Sequence, residues 1–279
     1  MKSPDTSGKL KISRVLLQVP LILIGLLTVI PFILMLNIST YETNDVYKQL
    51  PILPGSYLLE NFKTVMSTNF LVFFKNSFFV SAVSICITLL FSSIAGFAFA
   101  KYTFKGRNAL FIIVLATMML PPQLGLIAYI WEMRIIKLNQ TLIPLILPWI
   151  SNTFGVFWMT QYIKSAVPDE IIDSARVDTG NDINVFFRIV LPIIKPGVMS
   201  LGLMCFIWAW NDFLLPMVMI TKKELFTIPL GMATFSNMYK VNYSAQILAL
   251  TISLTPVFVL FFAGSKQLIS GLTAGAVKG

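Results

Sequence analysis

Long apolar blocks separated by short polar connections make up most of the chain. Six of them are about long enough to cross a hydrocarbon core of roughly 30 Å as helices. They cover residues 15–38, 70–100, 108–131, 142–163, 197–220 and 245–264. The pattern predicts an all-α, polytopic membrane protein with six transmembrane helices.

Composition supports the membrane interpretation and excludes several kinds of site. Of the 279 residues, 56% are hydrophobic and 12% are charged, which is more apolar surface than a soluble domain of this length can bury. The chain has no histidine and two cysteines. Histidine-based catalysis is therefore excluded, and we expect no catalytic residue, metal or cofactor on this chain.

The distribution of positive charge predicts the orientation. Thirteen of the 21 Lys and Arg residues lie in 1–14, in the connection after the second block, in the connection after the fourth, and in the tail. Because cytoplasmic connections carry an excess of Lys and Arg, both termini and the segment 164–196 are predicted to be cytoplasmic. Connections 39–69 and 221–244 are then external. This clustering beside apolar blocks also argues against nucleic-acid binding, despite a net charge of +9.

The polar segment 168–196 has the pattern of a helix, a turn and a second helix. Pro168 suits a first helical turn, and Asp169 and Glu170 place negative charge at the positive end of the helix dipole. Gly180 follows Thr179, and glycine accepts the left-handed conformation in which helices commonly end. The first helix is therefore expected to end at these two residues.

The second helix of this segment is predicted to be short. Asn181 or Asp182 is suited to cap it, and it is expected to stop before Pro192. Two interpretations remain open, an interfacial connector that holds two spans in place and a surface that docks a protein partner. In the second, Ile171, Ile172 and Ala175 supply the area buried against the partner.

Within this segment the residues resemble a known motif, the EAA loop of the membrane subunits of ABC importers. That motif reads EAA, three residues, Gly, nine residues and Ile-x-Leu-Pro. Here it is matched by Asp173-Ser174-Ala175, Thr179 and Ile189-Val190-Leu191-Pro192 with every spacing kept. The departures are Asp for Glu, Ser for the first Ala, and Thr for Gly with Gly180 one place later.

Other runs narrow the resemblance to carbohydrate importers of the maltose-permease type, and to the six-span member of the permease pair. They lie at 75–77 (KNS), 95–101 (AGFAFAK), 104–108 (FKGRN), 209–213 (AWNDF) and 271–279 (GLTAGAVKG). Only the first span and the loop after it lack a specific match. The implied organisation is a cytoplasmic N-terminus (1–14), a first helix (15–38), an external loop (39–69), a transmembrane core (70–268) with the EAA loop at about 168–192, and a cytoplasmic tail (269–279).

The resemblance implies partners and a coupling site. The partners would be a second permease subunit, a dimer of ABC ATPase subunits and an external sugar-binding protein that docks mainly on 221–244, in a bacterial or archaeal plasma membrane. ATP and Mg²⁺ would bind the ATPase, since this chain contains no G-x-x-x-x-G-K-[ST] sequence. The residues implied in ATPase coupling are Glu170, Asp173, Ser174, Ala175, Arg176, Asp178, Thr179 and Gly180.

A second candidate site lies in the fifth block, at Trp208, Trp210, Asn211 and Asp212. At a rise of about 1.5 Å per residue, Asp212 is deep in the membrane, where an ionisable side chain indicates a water-filled path or a buried pair. The tryptophans offer flat faces for a sugar ring. The alternative is that these residues mark the outer interface and hold the helix in register.

The predicted function is therefore a permease subunit that forms half of the path for a di- or oligosaccharide by alternating access. Two alternatives remain, an importer of a peptide, amino acid or anion, and a membrane-embedded glycosyltransferase. The last would need a pair of acidic residues at an interface, and no such cluster stands out in the apolar segments.

Overall fold

The computed structural model describes residues 6–48, 50–235 and 242–274, and no β-strand occurs in those ranges. The chain divides into two compact units. One comprises 1–68 and 235–252, and the other comprises 69–234 and 253–279. Both candidate sites lie in the second unit.

The helices alternate between long apolar segments and short connecting ones. In chain order they are α1 (Thr6–Ile38), α2 (Thr43–Val46), α3 (Leu58–Met66), α4 (Phe70–Lys101), α5 (Arg107–Met118), α6 (Leu126–Ile135), α7 (Ile143–Ile146), α8 (Thr153–Ala166), α9 (Asp169–Thr179), α10 (Asp182–Val185), α11 (Leu191–Ile193), α12 (Lys195–Trp210), α13 (Leu214–Met219), α14 (Ile228–Phe235) and α15 (Tyr243–Ala274). Short 3₁₀ turns cover Pro122–Gly125, Leu147–Ser151 and Lys223–Leu225, and a π turn covers Phe186–Val190.

The described residues contain four candidate membrane spans, and up to six if each of two bent helix pairs is counted as one span. Four segments are long and apolar enough to cross a membrane, namely Gln18–Ile38, Phe70–Lys101, Ile143–Ala166, which includes the 3₁₀ turn Leu147–Ser151, and Tyr243–Ser265. Two bent pairs also qualify, Arg107–Met118 with Pro122–Ile135 at 91° and Asp182–Ile193 with Lys195–Trp210 at 78°. The first helix of the second pair, Asp182–Ile193, belongs to the polar segment 168–196.

The third predicted span, 108–131, is not the single helix expected. Helix α5 ends at Met118, and α6 begins after Pro121-Pro122 and a 3₁₀ turn. Proline has no N–H for the helical hydrogen bond and clashes with the preceding turn, so two in succession separate the helices. The predicted fifth span, 197–220, is likewise divided between α12 and α13.

Helices α1 and α15 extend beyond the apolar blocks at the two ends of the chain. Helix α1 already begins at Thr6 and α15 continues to Ala274, so parts of the predicted terminal segments 1–14 and 269–279 are helical. The helical hydrogen bonds are local, and therefore do not stop where the apolar composition stops. Residues 1–5 and 275–279 lie outside the described residues.

Helix α4 is the centre of the second unit and packs against both α8 and α12. A Cβ on Gly96 would lie 2.7 Å from Cβ of Met159 in α8, so only glycine permits this approach. Ser92 and Ser93 are also buried here. The run Ser92, Ser93 and Gly96 thus serves close helix packing, as small residues do in membrane helices.

The start of α4 holds part of the segment predicted to be an external loop. Asn76 donates hydrogen bonds to the carbonyls of Glu224 (2.9 Å) and Phe226 (3.0 Å), and the Ser77 hydroxyl accepts one from the Ile228 amide (2.8 Å). Ile228 is buried and begins α14. The segment 221–244 is therefore not wholly exposed, because its backbone pairs with these two polar side chains. Residues 236–241 lie outside the described residues.

The segment after α9 departs from the predicted short helix. Asn181 does cap α10, accepting a hydrogen bond from the Ile183 amide (2.9 Å). The helical path then continues through a π turn and α11 to Ile193 instead of ending before Pro192. A π turn widens the helix immediately before the proline, which gives the ring room that a regular α-helix lacks.

Candidate functional site

Helix α9 is the predicted coupling helix, and its ends follow the sequence signals. Pro168 precedes it in an extended conformation, with Asp169 and Glu170 in the first turn. Gly180 ends it with φ of 60°, a left-handed conformation that suits glycine. The departure of Thr179-Gly180 from the family spacing thus places the turn at Gly180.

The inner face of α9 is buried in the core of the second unit. Ile172 and Ala175 are 2% and 3% exposed, in a cluster that includes Phe97, Met159 and Ile163. The prediction that these two side chains contact another subunit is therefore wrong. The reason is geometric, since positions three residues apart share one side of a helix, and that side faces the chain's own helices.

The outer face of α9 carries the residues that are accessible to a partner. Glu170, Asp173 and Ser174 are exposed, and the Ser174 hydroxyl donates to the Glu170 carbonyl (2.9 Å). Val177 is 87% exposed and Ile171 39%, an unusual display of apolar surface on a polar segment. Val177 was not among the apolar residues that the sequence analysis assigned to a partner contact. The side chains of Asp178 and Thr179 lie outside the described residues.

The first turn of α9 is fastened to the end of α4. The Lys101 ammonium donates to the Asp169 carboxylate (2.6 Å) and to the carbonyl of Val167. The Lys101 side chain is only 5% exposed, whereas that of Asp169 is 78% exposed. The hydrogen bond from Lys101, followed by its charge, holds the pKa of Asp169 below its usual range.

The last turn of α9 is fastened to the start of α10 and to the residue that follows α4. Arg176 donates to Asp182 (2.9 Å), and its guanidinium carbon lies 5.0 Å from the centre of the Tyr102 ring. Hydrogen bonds from Tyr102 and Arg176 lower the pKa of Asp182, while burial raises the pKa of Tyr102. Asp173 is a weaker partner of Arg176, at 3.8 Å.

A cavity of about 850 Å³ forms the second site, where broken helices of the second unit meet. It lies beside the Pro121-Pro122 break, the 3₁₀ turn Leu147–Ser151 and the gap between α12 and α13. Its aromatic lining residues are Tyr129, Trp149 and Trp208. Its hydrogen-bonding lining residues include Gln123, Asn152, Asn211 and Asp212.

The four path residues predicted from sequence separate into two groups. Trp208, Asn211 and Asp212 line the cavity. Trp210 does not, because it is 3% exposed and its indole N–H donates to the carbonyl of Ser253 (3.1 Å). Trp210 therefore serves helix packing, which was the alternative to a role in the path. The role of the other three in the path stays a prediction.

Most of the cavity wall was not identified from sequence. Tyr129 and Asn152 come from helices distant in the chain, and both are held in place. The Tyr129 hydroxyl donates to the Pro144 carbonyl (2.8 Å), and the Asn152 side chain accepts from the Gly155 amide (2.7 Å) as the cap of α8. The sequence feature that could have pointed to these residues is the set of prolines that interrupt the helices beside them.

Comparisons with known proteins identify the family. Residues 88–272 match the family described as "Binding-protein-dependent transport system inner membrane component". The arabinooligosaccharides transport system permease protein AraQ of Bacillus subtilis strain 168 is 31% identical over 98% of this chain and 99% of its own length. The trehalose/maltose transport system permease protein MalG of Thermococcus litoralis is 30% identical over 96% and 98%.

The fold is also similar to that of a solved structure. A chain of a bacterial ABC transporter involved in the import of the acidic polysaccharide alginate superimposes with a TM-score of 0.79 at 22% identity, covering 95% of this chain and 99% of that one. The family match decides against the glycosyltransferase alternative. This chain, an integral plasma-membrane protein, belongs to the family of inner-membrane components of binding-protein-dependent transport systems, the permease subunits of ABC importers.

Proposed function

We propose that this permease forms half of the translocation path for a di- or oligosaccharide. The observation that carries the proposal is the cavity, which combines three aromatic rings with amide and carboxylate groups. Sugars present apolar ring faces and hydroxyl groups, so this lining offers both the packing and the hydrogen bonds they need. The relatives named for arabinooligosaccharides and for trehalose and maltose support the same class of cargo.

The outer face of α9 supports docking of an ATPase subunit. Val177 and Ile171 expose apolar surface beside Glu170 and Asp173, and a groove that accepts a helix needs such anchors with a polar rim. ATP and Mg²⁺ then bind the ATPase dimer, and this chain performs no chemistry. The assembly also contains a second permease subunit and an external sugar-binding protein.

The mechanism proposed is alternating access, with both termini and α9 on the cytoplasmic side. Closure of the ATPase dimer on ATP moves the docked α9 helices and opens the path to the sugar-binding protein. Release after hydrolysis reverses the movement. Transport proteins commonly work by such rigid movements of helices around a central site.

An uptake panel tests the function. A strain lacking this chain, with and without the chain restored, is supplied with labelled disaccharides, oligosaccharides, peptides, amino acids and inorganic anions. We expect restoration to recover ATP-dependent uptake of at least one di- or oligosaccharide. Recovery of only a peptide, amino acid or anion would overturn the sugar assignment.

Variants of the cavity connect that uptake to the proposed site. Trp208→Ala and Asp212→Asn are expected to lower uptake about tenfold or more, because one well-placed contact is worth roughly 1.4 kcal/mol or more. Trp131→Ala is the control, since Trp131 is exposed in α6 and does not line the cavity. Equal uptake by all three variants would remove the cavity from the path.

A further inference from the structure

Two adjacent residues at the end of α4 hold opposite ends of α9. Lys101 contacts Asp169 in the first turn of α9, and Tyr102 lies under Arg176 near its end. Helix α9 therefore cannot tilt about either end without displacing the end of α4.

The attachment at Lys101 is well suited to transmit force. The Lys101 side chain is 5% exposed, and its ammonium donates to both Asp169 and the carbonyl of Val167. Charge-assisted hydrogen bonds of a buried group are the strong ones, since solvent does not replace them readily. Release of Lys101 would leave a buried charge without partners, which makes the bond costly to break.

The attachment at Tyr102 is tied into the same core. The Tyr102 ring meets Phe97 of α4 edge-on at 5.5 Å, and Phe97 also packs against Phe186 at 5.5 Å. The ring is thus held between the buried side of α4 and the guanidinium of Arg176. Both attachments lead into one helix.

Helix α4 also reaches the cavity wall. The buried Thr88 hydroxyl donates to the carbonyl of Trp149 (2.9 Å), and Trp149 is one of the residues that line the cavity. Between these points, the close approach of Gly96 to Met159 joins α4 to α8 with no space for sliding. A continuous set of packed and hydrogen-bonded contacts thus runs from α9 to the cavity.

We propose that α4 transmits the movement of α9 to the cavity, with Lys101 and Tyr102 as the positioning residues at the cytoplasmic end and Thr88 at the cavity end. The inference rests on the proposed function, because it presumes that α9 docks an ATPase. A rigid helix fixed at both ends moves the cavity wall when α9 moves. Loss of an attachment lets ATP hydrolysis proceed without moving the wall.

The test measures sugar taken up per ATP hydrolysed, in proteoliposomes that contain the complete transporter and its sugar-binding protein. This ratio does not depend on how much folded transporter is recovered. We expect Lys101→Met to lower it about threefold to thirtyfold, the range that mutations along a coupling route produce. Lys105→Met is the matched control, because Lys105 loses the same charge from the same connection but is exposed. It should stay within about twofold of the unmodified transporter.

Further variants keep the proposal testable if Lys101→Met does not assemble. Tyr102→Leu and Thr88→Val should each lower the ratio, while Tyr102→Phe, which keeps the ring under Arg176, should largely preserve it. The inference is overturned if Lys101→Met, Tyr102→Leu and Thr88→Val transport as efficiently as the unmodified chain, or if Lys105→Met is as impaired as Lys101→Met. A failure of the proposed function looks different, because the unmodified complex would then show no ATP-driven sugar uptake.

Discussion

The two faces of α9 both display apolar side chains, and they differ in what covers them. Ile172 and Ala175 on the inner face are buried by the chain's own helices, whereas Val177 on the outer face is 87% exposed. The inner face therefore stabilises this subunit, and the outer face is available to another one. An amphipathic pattern alone does not distinguish these purposes, because it shows where apolar residues lie and not which molecule meets them.

The largest effect is expected on the inner face. Ile172→Ala should lower the free energy of unfolding by about 2–5 kcal/mol, because it removes buried methyl groups and leaves a cavity. The thermal unfolding midpoint of the purified chain in detergent measures the loss. Ile171→Ala is the control one position away, on a side chain that is 39% exposed. Equal losses in the two variants would contradict the distinction between the faces.

A change on the outer face should affect association and leave folding intact. Val177→Glu is expected to weaken binding of the ATPase subunit about tenfold or more, since it places a charge on the most exposed apolar residue of the face that we propose docks it. Its unfolding midpoint should match that of the unmodified chain. The control is Thr103→Glu, which adds the same charge to an exposed position outside α9. Unchanged affinity of Val177→Glu would remove this face from the ATPase interface.

The local structure of α9 was predictable from sequence, whereas the use of its faces was not. Pro168, the acidic first turn and Gly180 determine where the helix begins and ends through local geometry. Which stripe is buried depends on Phe97, Met159 and Ile163, which lie on other helices. The continuation through Pro192 was also missed, because it depends on the π turn formed before it.

The residues that line the cavity were likewise only partly predictable from sequence. Trp208 and Trp210 lie two residues apart, so they point about 200° apart around the helix, and only one of them can line a given cavity. Both tryptophans were assigned to the translocation path from sequence, whereas in the structure only Trp208 lines the cavity. Tyr129 and Asn152 could not be assigned, since the breaks that bring them to the cavity change direction by amounts that proline positions do not specify. The prolines did predict that helices are interrupted there.

A smaller effect is expected for the rim of the outer face. Asp173→Asn should change the free energy of unfolding by about 0–1 kcal/mol, because its 3.8 Å contact with Arg176 is solvent-exposed. Thermal unfolding of the purified chain at low and high salt measures this. A large loss of stability at low salt would show that Asp173 anchors α9. The exposed rim of the helix would then stabilise the fold in the same way as its attached ends.

The smallest expected effect is the dependence of the unfolding midpoint on pH. It tests whether the polar contacts at the two ends of α9 are controlled by a proton near neutral pH. The pKa values of Asp169 and Asp182 are lowered by Lys101 and by Tyr102 with Arg176, so their contribution is present above the usual carboxyl range. It is lost as pH falls through the lowered values, below about pH 4. Burial raises the pKa of Tyr102, and that contribution is present below about pH 10 and is lost as pH rises through the raised value. Between about pH 5 and 9 the unfolding midpoint should therefore be flat.

The control for this pH profile is Asp169→Asn, which should lower the plateau, keep it flat and weaken the acid-side decline, because the contribution of the ionised carboxylate is then missing at every pH. The chain has no histidine. A transition between pH 6 and 8 that disappears in Asp169→Asn would contradict the assignment of Asp169 as a carboxylate whose pKa is lowered by Lys101. A flat profile, together with an outer face that binds the ATPase reversibly, is what a rigidly held helix with one free face requires.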